Sequence, residues 1–522
     1  MARPSGDLVL LKEGADKPVA LSHPDGAAQK AARFADEHAA ALASGAPVFV
    51  AGTRAGYEID ELHRRTRRRD WEPAQPIYIY EEDERIVRLL FTAQDWTGRL
   101  DERAHFFLGA NAADECRAFF TERLARPVPD ELLTLGDAQA AARAASALRA
   151  AKTEILRAAQ QWKSEADAYY EKLGAADLAR AFLDWNGARF LLVSNRQTYF
   201  VRYSVRDLRD ALEHGGAEVR VLEEEDAADR LTGPVLLRAL AAFRPHALFF
   251  IDHLRAEGAG IYPPQLPFVA YIQDYMQSVF NEKAGAAITP RDLVIGYARD
   301  LEAFGFPPDR LFVLPPLTNP RMFAPSSSPP PEKFAADLSF VSNRSATHEE
   351  AYEGVAREFK DAPVFARIAE RVYGEALARF ESGAFYEDYR AFHHVVADAL
   401  AADGFDPAAH EPFIFRLFDS FADAMLREQS LRWAAESGRP LALWGRGWER
   451  HPRLGGFARG VVENGPDLAA IYRASKINLH VNQFELEHVR LVDGLAAGGF
   501  SRAPPAVRRM APDGRLPFRH AG

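Results

Sequence analysis

Cysteine is almost absent from this chain: it carries one, Cys116, in 522 residues. A single thiol excludes a disulfide framework and any zinc site built on cysteine. No apolar run approaches the roughly 18 residues that a membrane-crossing helix needs. The opening stretch, MARPSGDLVLLKEGADKPVA, has no apolar core of the kind a secretory signal requires. Excess basic charge is missing too. The 64 lysines and arginines are outnumbered by 74 acidic residues, for a net charge of −10. General binding of nucleic acid, which needs a basic surface, is not expected. These absences together lead us to expect a cytoplasmic protein.

What is present is ordinary globular composition, 48% hydrophobic and 26% charged, on a chain too long for one core. One short pattern occurs twice. RFLLVSNRQTYF (189–200) and DLSFVSNRSATH (337–348) share Val-Ser-Asn-Arg after an apolar run. The repeat predicts the same strand and turn at the start of two large segments.

The intervening patterns predict α/β architecture. Residues 1–135 read as a small α/β domain, with strand, glycine turn and helix in APVFVAGTRAGYEIDELHRR. Its Gly52-x-x-x-Gly56 turn with Glu81 or Glu82 is a weak nucleotide signature, and a ligand-free turn is the better reading. Residues 136–184 are rich in alanine and helix formers, with no glycine or proline in 137–173, and predict one or two long connecting helices. From 185 to 323 apolar strands are expected at 189–194, 217–222, 247–252, 268–272, 293–297 and 311–314, alternating with helices, which predicts a parallel sheet. Residues 324–332 fall in a Pro/Ser-rich linker. A second sheet is expected over 333–522, in DLSFVSNRS, RPLALWGRGW, FARGVVENG and SKINLHVN, with a helical insertion at 348–437. If the two sheets face each other, both Ser-Asn-Arg turns point into one cleft, because ligands of such sheets sit beyond the carboxyl ends of the strands.

The window 457–500 carries the densest chemistry. It predicts a helix at 466–474, a strand at 476–482 and a helix at 489–497, ending in a double glycine. Glu485 and Asp493 are separated by seven residues across the last loop and helix, and Arg490 lies between them. A helix N-terminus suits a diphosphate, and a carboxylate can accept two hydrogen bonds from a ribose diol. This window resembles the donor-binding segment of GT-B-fold glycosyltransferases, particularly the spore-protein (CgeB-like) branch, whose Glu-x7-Glu motif is represented here by Glu485 and Asp493. LALWGRGW, YSVRDLRDALEHGGAEVRVL, FFIDHLR and FVAYIQD are similar to other parts of that family, so the resemblance covers residues 185–500.

The resemblance implies two facing Rossmann-like domains, with the acceptor bound over 185–323 and a nucleotide sugar over 333–522. The implied activity is transfer of a sugar from a nucleotide sugar, as co-substrate, to a glycan, protein or surface-polymer acceptor. No Asp-x-Asp follows a strand, so neither a metal nor a resident cofactor is expected. Donor contacts are expected from Asn343, Arg344, Gly445, Arg446, Gly447, Glu485, Arg490 and Asp493. Arginines and backbone N–H groups would then stabilise the leaving diphosphate. His253 and Asp274, each after an apolar strand, are the candidates for catalysis, and Asn195, Arg196, Tyr203 and Arg206 for the acceptor. Each has a structural reading beside the functional one: an ion pair for Arg344, a helix cap for Asp274, a structural imidazole for His253. The basic run Arg64, Arg65, Arg67, Arg68 and Arg69 reads as a solvated helix end. A silent binding protein of the same fold, or a methyltransferase using S-adenosylmethionine in the N-terminal domain, are the alternatives. SRAPPAVRRMAPDGRLPFRHAG (501–522) shows neither strand nor helix pattern and reads as an altered or disordered end that leaves a sheet edge open to self-association.

Overall fold

The computed structural model describes residues 26–66, 74–93, 95–96, 103–185, 187–196, 198–274, 276, 278–296, 301–314, 316–384, 386, 389–481 and 488–502. Among them the chain is α/β, with three sheets whose paired strands are all parallel. It divides into two compact units, residues 1–313 and 314–522. No helix among the described residues is long and apolar enough to cross a membrane.

The first unit holds two sheets. One is built from β1 (Val48–Ala51), β2 (Ile77–Glu81), β3 (Ala104–Leu108) and β4 (Leu132–Thr134), in the order β3-β2-β1-β4. The other is built from β5 (Arg189–Val193), β6 (Glu218–Leu222), β7 (Ala247–Ile251), β8 (Phe268–Ile272), β9 (Asp292–Gly296) and β10 (Leu311–Val313), in the order β10-β9-β8-β7-β5-β6. Each of these six strands lies on or within a residue or so of its expected place.

The alanine-rich stretch forms one 33-residue helix, Ala138–Tyr170, capped by Asp137, whose carboxylate accepts from the N–H groups of Gln139 and Ala140. It does more than connect. Ala141, Ala144, Ala147 and Ala151 pack on Phe49, Tyr78, Phe107 and Phe120 of the first sheet's core. Further along the same helix, Ala166 and Tyr170 pack with Leu236, Leu240 and Phe243 of the second. Alanine at the buried positions lets the helix approach both layers closely, so the helix is a shared spine. The loop after β6 ties the same two parts together. Arg230 Nη2 donates to Ala74 O (2.6 Å), Thr232 Oγ1 to Leu124 O (3.0 Å), and buried Arg126 pairs with Asp226 and with Asp229 (3.1 Å).

The second unit holds β11 (Ala336–Val341), β12 (Leu441–Trp444), β13 (Ser475–Leu479) and β14 (Ser501–Arg502), in the order β12-β11-β13-β14. The predicted helical insertion is the crossover between β11 and β12, formed by helices His348–Glu358, Pro363–Glu381, Tyr389–Ala402 and the pair Glu411–Leu417 and Ala424–Glu436, joined by a π-helical turn. It covers one face of the sheet: Phe340, Leu441 and Leu443 share a core with Ile368, Val372, Leu417 and Phe421. Two expectations are corrected here. FARGVVENG forms no strand; it holds the end of a 3-10 turn and one isolated bridge from Ala458 to Leu443, because two glycines and a polar run give β12 no continuous apolar neighbour. Ser501 and Arg502 do form a strand, paired with Asn478 and Leu479; residues 503–522 lie outside the described residues. Phe323, numbered with the acceptor side in the sequence reading, is buried among Leu468, Ala469 and Tyr472 of the second unit.

Arg126→Ala would leave Asp226 and Asp229 charged with their buried partner gone. It is expected to cost the first unit about 3–5 kcal/mol, read as a lowered denaturation midpoint; a loss below about 1 kcal/mol would contradict the docking role of this cluster.

Candidate functional site

Parallel sheets offer ligands a crevice at the carboxyl ends of strands, where the strand order reverses. In the first sheet that point lies between β1 and β4, and it is filled by protein. Gly52 has φ 98°, and a Cβ on it would lie 2.3 Å from Gly136 N; a Cβ on Gly56 would lie 2.5 Å from Trp96. The Arg54 guanidinium crosses the crevice, with Nε donating to Leu135 O (2.7 Å). Glu81 accepts from the N–H groups of Thr53 (3.2 Å) and Asp83 (3.0 Å), and Glu82 pairs with Arg143. The glycines here make room for side chains and backbone. Arg64 and Arg65 pair with Glu61, as a solvated helix end should; Arg67, Arg68 and Arg69 lie outside the described residues.

In the six-stranded sheet the reversal lies between β5 and β7, and the strand register carries Asn195 and Asp252 to its two sides. Ser194 is buried and its Oγ has no hydrogen-bond partner among the described residues. Asn195 is half-buried beside it. Arg196 is exposed and already engaged: its N–H donates to Glu224 Oε2 (2.9 Å) and Nη1 to Glu225 O (2.7 Å). Tyr203, on the following helix, lies under the Arg206 guanidinium at 5.0 Å.

His253 follows β7. Its Nδ1 lies 2.7 Å from Glu257 Oε2, and that hydrogen bond holds the imidazole pKa above its usual range. Asp274 follows β8; protein packed around it raises its carboxyl pKa although the residue keeps contact with solvent.

Two residues escaped the sequence reading. Glu257 completes a His-x-x-x-Glu dyad whose spacing was visible in the sequence. Asp252 was overlooked beside His253. It is buried, adopts a left-handed φ of 58°, and its Oδ1 accepts from Gln273 N (2.7 Å) and Asp274 N (3.0 Å). Burial pushes its carboxyl up to about 6, against the pull of those two N–H groups.

The second unit repeats the geometry between β11 and β13. Ser342, Asn343 and Arg344 leave β11 beside the Gly445-Arg446-Gly447 turn that leaves β12. Arg446 N donates to Asn343 Oδ1 (3.0 Å), and Arg344 N to Arg446 O (2.9 Å). Gly445 is required there: a Cβ would fall 2.1 Å from Ser342 O. Arg344 pairs with Glu350, whose carboxylate caps the helix that follows. Arg446 is exposed. Asp493 is buried in the helix Val489–Ala496 and accepts from Thr318 Oγ1 (2.7 Å). Glu485 lies outside the described residues.

Arg490 stands in the first turn of that helix, capped by the His488 side chain, whose Nδ1 accepts from Arg490 N (3.1 Å). Its guanidinium sits 5.4 Å from the centre of the Phe340 ring. Nη1 is buried, with no hydrogen-bond partner among the described residues. Burial, and next to it the charge of Arg427, lower its pKa to about 10. Arg427 comes from the helix after the π turn, where it pairs with Asp423 (3.4 Å) and donates to Ser345 Oγ (2.5 Å). Burial and the same arginines hold His488 well below its usual range, consistent with a neutral ring that can accept the cap bond. Nothing in the sequence pattern marked Arg427, because its approach to Arg490 is made by the crossover.

One further cluster, His348, Glu349 and Glu428, has ligand atoms close enough for a metal ion. Arg453 reaches both carboxylates, at 2.7 Å and 3.5 Å, and His348 Nδ1 bonds Tyr373 Oη (2.8 Å), so the group is balanced as an ion-pair network.

The raised pKa of Asp252 has a definite sign. Its ionisation costs the folded state stability as pH climbs from the unfolded value near 4 through about 6, and costs nothing at lower pH. Asp252→Asn keeps the acceptor and removes that cost. It is expected to gain about 1–2 kcal/mol more at pH 8 than at pH 5, measured by denaturant titration at the two pH values. Comparison of the chain with protein-family models, with curated proteins and with solved structures returns no match.

Proposed function

We propose that the chain is a nucleotide-sugar-dependent glycosyltransferase of the GT-B type, with the donor's diphosphate bound beside Arg490 and Arg427. The observation that carries this reading is the buried Arg490 guanidinium. Its Nη1 has no hydrogen-bond partner among the described residues, the charge of Arg427 opposes it while that of Asp423 favours it, and the positive end of a helix lies beneath it. Two arginines that share the single carboxylate of Asp423 leave positive charge over, and a diphosphate supplies two charges and several acceptors. As the sugar–phosphate bond breaks, negative charge grows on the departing oxygen, where fixed guanidinium and N–H donors act most strongly.

The other roles follow from the resemblance and from local geometry. Asn343, Arg344 and the Gly445–Gly447 turn stand at the carboxyl edge of the same sheet. Asp493 and Glu485 keep their family roles as part of the proposal. In the first unit, the His253–Glu257 dyad suits a base: an attacking hydroxyl must lose its proton, and a carboxylate on Nδ1 orients the ring and steadies the imidazolium. Asn195, Arg196, Tyr203 and Asp274 surround the same sheet edge and are assigned to the acceptor. A methyltransferase reading is disfavoured by the filled crevice of the first sheet.

Nucleoside diphosphates are expected to raise the thermal midpoint, and S-adenosylmethionine to leave it unchanged. Arg490→Met and Arg427→Met should each weaken nucleoside diphosphate binding roughly 10-fold or more, measured by titration calorimetry. Unchanged affinity in both variants would remove the diphosphate from this site. Release of nucleoside diphosphate from one member of a nucleotide-sugar panel separates a transferase from a silent binder.

A further inference from the structure

We propose that Asp252 is the positioning residue of the six-stranded sheet's open end, tying the exit of β7 to the exit of β8 and so setting the spacing of His253 and Asp274. Three observations converge on it. Its backbone is left-handed, a conformation that an aspartate adopts at some cost and a glycine at none. The turned backbone lets the side chain meet the neighbouring strand's exit, where one oxygen accepts from two consecutive N–H groups, Gln273 and Asp274. Its own N–H donates to Tyr271 O (3.0 Å), so the residue is stitched to β8 from both sides.

Neither strain nor burial of a carboxylate favours folding, and together they mark a residue retained for its position. The arrangement also fixes its neighbours. His253 is next in the chain and Asp274 is held through its own N–H. Gln273 is braced from the other side, its Oε1 accepting from Ser204 Oγ (3.1 Å) on the helix that follows β5. The charged groups acting on Asp252 are Asp274, which opposes its ionisation, and His253, which favours it and is itself paired with Glu257. The site geometry is therefore linked to pH through one buried group.

The roles of His253 and Asp274 rest on the glycosyltransferase reading, whereas the tie itself does not, so the test has two separate arms. In the first, amide hydrogen exchange is followed by mass spectrometry across residues 268–281 of the full chain. Asp252→Gly accepts the backbone conformation but removes the acceptor, and is expected to raise exchange at Gln273 and Asp274 roughly 10-fold or more. Asp252→Asn keeps an accepting oxygen and should restore protection. Equal exchange in the wild type and the glycine variant, or equal loss in both variants, overturns the proposal. In the second arm, nucleoside diphosphate release from a turned-over nucleotide sugar is measured against pH. Asp252→Gly should lower kcat with little change in the donor KM, and Asp252→Asn should restore kcat while moving the acidic limb set by His253 to lower pH, because the Asp252 charge helps to hold that imidazole protonated. A glycine variant with wild-type kcat and pH profile also overturns the proposal. If no nucleotide sugar is turned over by the wild type, the glycosyltransferase reading fails, and the exchange arm still decides the tie.

Discussion

Parallel pairing is the constraint from which the rest of this molecule follows. A strand can lie parallel to its predecessor only if the chain crosses back over the sheet, so every pairing demands a covering element. Where both faces are covered the strand becomes apolar throughout, as in Val48–Ala51 and Leu441–Trp444, where every residue is buried, while the edge strand Glu218–Leu222 keeps charged residues. The same constraint delivers all carboxyl ends of a sheet to one edge. Polar side chains after a strand, such as Asn195, Asp252, Asn343 and Arg446, are gathered there by topology, before any bond between them forms.

One architecture has been put to different uses. At the reversal point of the first sheet, Gly52 meets Gly136, Trp96 occupies the space above Gly56, and Arg54 spans the gap. Glu81 there accepts from the N–H groups of Thr53 and Asp83, and Arg54 donates to Leu135 O. The corresponding points of the other two sheets retain groups that folding alone would not favour. Ser194 Oγ is buried with no partner among the described residues, Asp252 is both turned and buried, and the charge of Arg427 acts against Arg490. Such local conflicts are where function is expected, because elsewhere each level of structure agrees with the others.

Stability is distributed accordingly. The spine helix Ala138–Tyr170 and the Arg126 cluster fasten the closed sheet to the six-stranded one within the first unit. The N-terminal sheet thereby braces its neighbour. In the second unit the crossover helices both cover the sheet and bring the charge of Arg427 to bear on Arg490, so packing and the proposed anion site share the same elements.

The amino-acid sequence by itself determined the six strands between 189 and 313 and the places of β11, β12 and β13, because most of them are apolar runs closed by a turn, whereas β3, β4 and β14 carried no pattern that was read. It also determined the Ser-Asn-Arg echo: β5 and β11 are each the first strand of their sheet and each lies at its reversal point. FARGVVENG misled because pairing depends on a neighbour as well as on local composition. What only the tertiary structure decided was which polar residues have partners. Arg344 found Glu350 and Arg196 found Glu225, while Arg490 met Arg427 from 63 positions earlier, and Asp252 reached N–H groups 21 and 22 positions later. Burial, charge proximity and backbone handedness are properties of those long-range encounters, so no local pattern in the chain could encode them visibly.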